Sequence, residues 1–213
     1  MFHKALVLMK WEIGKLIGAE GTSVGSWENM PHRINIDGIT ESLFLLQNLV
    51  HASRSFCSAN KITGTSNAEG EFDFDYYSGW LKLMACENLI QVSVRLRILE
   101  DIVKADGDSV DFSVLDGEAR KDIILGNCAE ASTENITLRE AWNKIIHATE
   151  TQLDWKAENG FEFWTGDVLL SGNKYGSGWK LVLHVKPFVI ASTRFLDHLE
   201  QTVDFHHLYK YDR

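Results

Sequence analysis

Positive charge is in short supply in this chain: 21 Lys and Arg stand against 30 Asp and Glu, for a formal net charge of −9 and a pI near 5.3. A field of that sign repels nucleic acid at long range, so contact with RNA or DNA would need a local basic patch. Cysteine is scarce as well. Cys57, Cys86 and Cys128 lie far apart and form no C-x-x-C pair, which argues against a disulfide framework or a zinc knuckle and makes free thiols in a reducing compartment the expectation. No stretch approaches the roughly 18 apolar residues of a membrane span. The opening residues, MFHKALVLMKWEIGKLIG, are interrupted by Lys4, Lys10, Glu12 and Lys15 and lack a small-residue cleavage site, so they do not read as a signal peptide. The expected location is the cytoplasm, with no membrane partner, and there the Asn135-Ile136-Thr137 sequon meets no glycosylation machinery.

Catalytic signatures are missing too. There is no G-x-S-x-G elbow and no patterned nucleophilic cysteine. The glycines of SGNKYGSG lack the Lys-Ser/Thr ending of a P-loop and lead into a strand instead of a helix. The acidic run from Asp106 fails as an EF-hand, because its sixth position is Asp111 and its twelfth Gly117. No helix carries the E-x-x-H spacing of a carboxylate-metal site, so no metal and no cofactor is implied.

What is present describes a folded globule. Of the 213 residues 45% are hydrophobic and 11% aromatic, with seven Trp, which suits one domain, or one domain plus a small appendage, with a real core, and argues against disorder. Phe2, Leu6, Met9, Ile13, Leu16 and Ile17 recur at helical spacing, and Ile39, Leu43, Leu46, Leu49, Val50, Ser53 and Phe56 do so again, with Asp37 or Thr40 as a cap. After an exposed loop over 63–75, a long helix over 76–104, with a break near Gly79, carries two stripes. Ala85, Leu89, Val92, Leu96, Leu99 and Val103 form one; Ile90, Val94, Ile98 and Ile102 form the other, on the far side. A helix apolar nearly all round is buried on both sides or lies at a subunit interface, so a homodimer is expected. Arg97 and Asp101, one turn apart, read either as an exposed i,i+4 ion pair or as part of a semi-buried polar site. A short helix is placed at 117–125.

The stretch NITLREAWNKIIHATETQL, 135–153, organises the rest. Thr137 and Glu140 have capping-box spacing. Leu138, Ala141, Trp142, Ile145, Ile146 and Thr149 share one face, while Arg139, Asn143 and His147 climb the other, with Lys144 beside them. Beyond it the period changes from 3.6 to 2: 161–164, 167–170 and 179–185 read as antiparallel strands, with Leu181, Leu183 and Val185 on one face and Val182 and His184 on the other. Pro187 opens a last helix that turns Phe188, Ala191, Phe195, Leu196 and Leu199 inward. His206 and His207 follow in a tail where adjacent histidines bind metal adventitiously at most. The expected fold is mainly α (α+β): a helical bundle over 1–155, and over 156–213 a C-terminal antiparallel β-hairpin or small sheet plus a closing helix packed on the bundle, in one continuous domain.

An Arg and a His on one helical face form a minimal set for cutting a phosphodiester without metal, a base for the 2′-hydroxyl and a cation for the phosphorane charge. The stretch L-R-E-A-W-N-K-I-I-H-A also resembles the motif helix of HEPN proteins, small helical proteins of bacterial toxin–antitoxin and defence systems. Their active members carry an Arg and, four to six residues on, a His; many are metal-independent ribonucleases whose sites form across a dimer, and others are inactive partners or RNA-binding modules. The resemblance implies Arg139, Asn143 and His147 as catalytic residues, with seven residues between Arg139 and His147 in place of the usual spacing. It implies Lys144, Arg97 and Asp101 as substrate-binding residues and RNA as substrate. Three other readings stay open: a polar outer face that does no chemistry, a ligand-binding or interface role for that face, and a non-enzymatic helical scaffold that dimerises or binds a protein partner. A basic patch would favour the nuclease; an exposed apolar helix face would favour the scaffold.

Overall fold

The computed structural model describes residues 35–64, 73–106, 110–128, 136–174 and 176–205. The helix expected over 2–17, much of the loop after residue 64 and the tail histidines lie outside them. The described residues form five helices and one four-stranded sheet, an α+β fold of the expected kind.

Helix α1, Ile36–Asn60, begins at Asn35, whose side chain accepts a hydrogen bond from Gly38 N at 3.0 Å. The N-cap is therefore two residues before Asp37, because Asn satisfies an orphan N–H of the first turn as well as Asp does. Helix α2, Phe74–Asp106, is 33 residues long and continuous through Gly79. Its first stripe is core: Ala85, Leu89, Val92, Leu96, Leu99 and Val103 are all buried. Its second stripe is not. Ile90 is 48% and Ile98 40% exposed, and Val94 and Ile102 are half-buried, so this helix lines the outside of the core and its far side faces away.

Helix α3 runs Phe112–Ala119, not 117–125, because Asp111 caps it by accepting from Ser113 N and Val114 N. Those bonds hold the exposed Asp111 carboxyl below its usual pKa. The chain then enters strand β1, Gly126–Cys128, and helix α4, Leu138–Ile146. Helix α4 stops earlier than the expected 153. Beyond Ile146 the sequence HATETQL places Thr149, Thr151 and Leu153 at alternate positions, and 150–153 gain more from pairing than from another helical turn. They enter strand β2, Glu150–Glu158, which pairs antiparallel with β3, Phe161–Lys174. Strand β4, Ser177–His184, leads directly into α5, Val185–Thr202. Pro187 sits in the first turn, where a missing N–H costs nothing.

The strand order is β1-β4-β3-β2, antiparallel throughout. Leu170 stands opposite Leu181 and Val168 opposite Leu183. These residues, with Val185, turn to the buried face against α1 and α5, while α2 lies on α1 and α4. Helices and strands share one continuous core, and residue 155 falls inside β2. A smaller cluster of Cys57, Ile62, Phe161 and Phe163 seals the start of β3. Beside it the Tyr77 hydroxyl donates to Ser53 Oγ at 3.2 Å. Burial pushes the Tyr77 phenol up to about 12 and raises the Cys57 thiol, which keeps that thiol protonated and unreactive.

Candidate functional site

Helix α4 is fixed at its N-terminus by the expected capping box: Glu140 N donates to Thr137 Oγ1 at 3.1 Å, and Thr137 N to the Glu140 carboxylate at 2.9 Å. A second acceptor comes from α3, where Asp116 takes the Leu138 N–H at 2.7 Å. Leu138, Ala141, Trp142 and Ile145 then point into the core, and the polar row is left on the other side.

Arg139, the first member of that row, is spoken for. Its Nη1 lies 3.0 Å from Glu100 Oε2 and 3.5 Å from the Arg97 carbonyl, and its Nη2 lies 3.0 Å from Asp101 Oδ1. The Glu100 side chain is only 6% exposed and also pairs with Lys104. Arg139 therefore ties α4 to α2. Asp101 takes Arg139 as its partner and leaves the Arg97 guanidinium without an ion pair among the described residues, so the ion pair expected within α2 is replaced by one between helices. The direct contacts bring Arg139, Asp101 and the Arg97 carbonyl together.

The other members diverge. Asn143 has a buried Oδ1 with no hydrogen-bond partner among the described residues. Lys144 turns to the sheet, with Nζ 4.1 Å from the centre of the Trp179 ring, a cation–π contact. His147 has left the helix as its C-cap; its N–H donates to the Asn143 carbonyl at 3.0 Å and its side chain is exposed. Eight residues of helical rise separate Arg139 from His147, about 12 Å along the axis.

Sequence reasoning did not single out Glu100, Lys104 or Trp179. For Glu100 a signal existed: a carboxylate one residue from the core position Leu99 needs a cation from elsewhere. For Trp179 there was none, since its place under Lys144 depends on how the sheet meets α4. A second pair stands on the open face of the sheet, where His184 Nδ1 lies 2.8 Å from Asp167 Oδ1, both partly exposed. Next to it the row Gln152, Leu169, Val182 and Asn127 crosses all four strands and floors a groove of about 270 Å³. Among the described residues no three His, Cys, Asp or Glu are grouped to hold a metal ion, and no helix is long and apolar enough to cross a membrane.

The expectation from sequence is that Arg139→Ala changes stability by no more than about 0.5 kcal/mol, as at an unengaged surface site. The structure revises this. Loss of the guanidinium leaves a nearly buried Glu100 with Lys104 alone, so the expected cost is about 1–3 kcal/mol, the scale of hydrogen bonds to charged groups. Urea unfolding followed by circular dichroism checks it: an unchanged midpoint would show that the two pairs contribute nothing.

Compared with known protein families, curated proteins and solved structures, the chain matches none.

Proposed function

We propose that this protein is a non-enzymatic helical scaffold that receives another helix on the outer face of α2, supplied by a second copy or by another protein. One observation carries the reading. Tyr76, Trp80, Leu83, Ile90 and Ile98 are exposed along one side of α2, with Val94 half-buried between them. From Tyr76 to Ile98 the strip is about 33 Å long. Only Glu87 interrupts the strip, between Leu83 and Ile90; soluble monomers rarely leave so much apolar surface open on one face, and such a surface marks an interaction site.

The polar row supports the same conclusion from the other side. A phosphate reaching Arg139 would have to compete with two carboxylates already in place, and His147 stands a helix length away. The scaffold reading expects structured RNA to remain intact when incubated with purified protein and EDTA, for wild type and His147→Ala alike. Loss of a general base lowers a rate by about 10²–10⁴, so the contrast is easy to read. If wild type cuts and His147→Ala does not, the scaffold reading falls and the HEPN-like ribonuclease reading replaces it.

A further inference from the structure

We infer that the helix received on α2 belongs to a second copy of this chain, laid antiparallel across a two-fold axis at the level of Ala85; the inference rests on the scaffold reading. The outer face of α2 steps through Tyr76, Trp80, Leu83, Glu87, Ile90, Val94 and Arg97 at alternating intervals of four and three. That is the 3.5-residue repeat of a helix–helix seam. The seam is not the same at its two ends. Its N-terminal half is aromatic and bulky, preceded by the exposed acids Asp73 and Asp75. Its C-terminal half is β-branched and reaches Arg97, which has no ion pair among the described residues.

A parallel copy would set Trp80 on Trp80 and Arg97 on Arg97. An antiparallel copy sets unlike on unlike: Tyr76 faces Val94, Trp80 faces Ile90, Leu83 meets the methylenes of Glu87, and Asp73 reaches Arg97. The two-fold makes each of these contacts twice. Cross-helix layers of this kind fill the space beside an aromatic with a branched aliphatic chain, and the ion pairs close both ends. A specific interface buries ~1,000 Å² or more over both partners, so the antiparallel seam must be covered along its whole length on each copy. Every seam residue is on the side of α2 away from the core, so occupation needs no rearrangement of the fold.

Sedimentation equilibrium on the full chain tests the stoichiometry. The expected mass at micromolar concentration is twice 24.2 kDa, and Leu83→Glu with Ile90→Glu restores the single mass with an unchanged circular dichroism spectrum. Cysteine trapping tests the orientation in a Cys86→Ser background, mixing a Trp80→Cys chain with an Ile90→Cys chain under mild oxidation. Mixed 80–90 disulfides support the antiparallel seam; a predominance of 80–80 and 90–90 products overturns it. A monomeric wild type overturns the second copy altogether. In that case binding of an apolar dye that Leu83→Glu abolishes leaves the scaffold reading standing, and absence of dye binding removes both.

Discussion

Replacing Trp142 by alanine is expected to lower the unfolding free energy by about 3–5 kcal/mol, the range for deleting a large aromatic from a packed core. Trp142 is 1% exposed and meets Phe195 edge to face at 5.3 Å between ring centres, so it joins α4 to α5. Helix α4 has only nine residues and would not persist alone in water; the indole is its main anchor. At about 2–4 °C per kcal/mol for a chain of this size, the thermal midpoint should fall by about 10 °C. The indole N–H has no hydrogen-bond partner among the described residues, so its value is in its volume and not in its polarity. Trp142→Phe removes that donor along with part of the ring and, because the cavity it leaves is smaller, should cost clearly less than the alanine change. If the phenylalanine variant is as damaged as the alanine one, the N–H has a partner and the packing argument fails.

The second large effect is expected from one methyl group. A Cβ at Gly172 would lie 2.4 and 2.6 Å from atoms of the Trp179 ring and 2.9 Å from the His147 carbonyl oxygen. Trp179 is buried and is the cross-strand partner of Gly172, and a backbone carbonyl cannot step aside. Gly172→Ala should therefore destabilise by about 1–3 kcal/mol or more, the scale of overpacking. The same substitution at Gly79 should do the opposite. A Cβ there meets nothing within 4 Å, and alanine in a helix interior is favoured over glycine by about 0.5–1 kcal/mol. Chemical denaturation of the two variants beside wild type should give midpoints on either side of it. Equal shifts in one direction would defeat the account of how α4 meets the hairpin.

Much of the fold was legible where one period governs a long enough stretch. The core stripe of α2, the inward residues of α4 and the alternation through Leu181, Leu183 and Val185 all follow from spacing, because burial on one face leaves a repeating mark. Strand β1 left none: three residues, Gly126–Cys128, are a strand only because the edge of β4 receives them. Strand β2 was hidden for a different reason. HATETQL continues a helical-looking phase after Ile146, and only pairing with β3 decides against it. The candidate site divides in the same way. Helical geometry places Arg139, Asn143 and His147 on one face, but what each touches is set by α2 and by the sheet, and Glu100 reaches Arg139 from 39 positions away. The exposed second stripe of α2 was legible as apolar; that it stays open depends on α1 and α4 covering only the first.

One hydrogen bond of the core also sets an order in time. Trp164 N donates to Ser53 Oγ at 3.0 Å across 111 positions of sequence, and besides α2, which follows it directly in the chain, α1 packs on β3 and α5. On a ribosome, synthesis runs at about 5–20 residues per second, so α1 emerges roughly 6–20 s before the strand it lies on. During that interval Ile39, Leu43 and Leu46 have no sheet to cover. The first described helix is thus among the last to be completed, and nascent chains should stay sensitive to protease near α1 until β3 has cleared the exit tunnel.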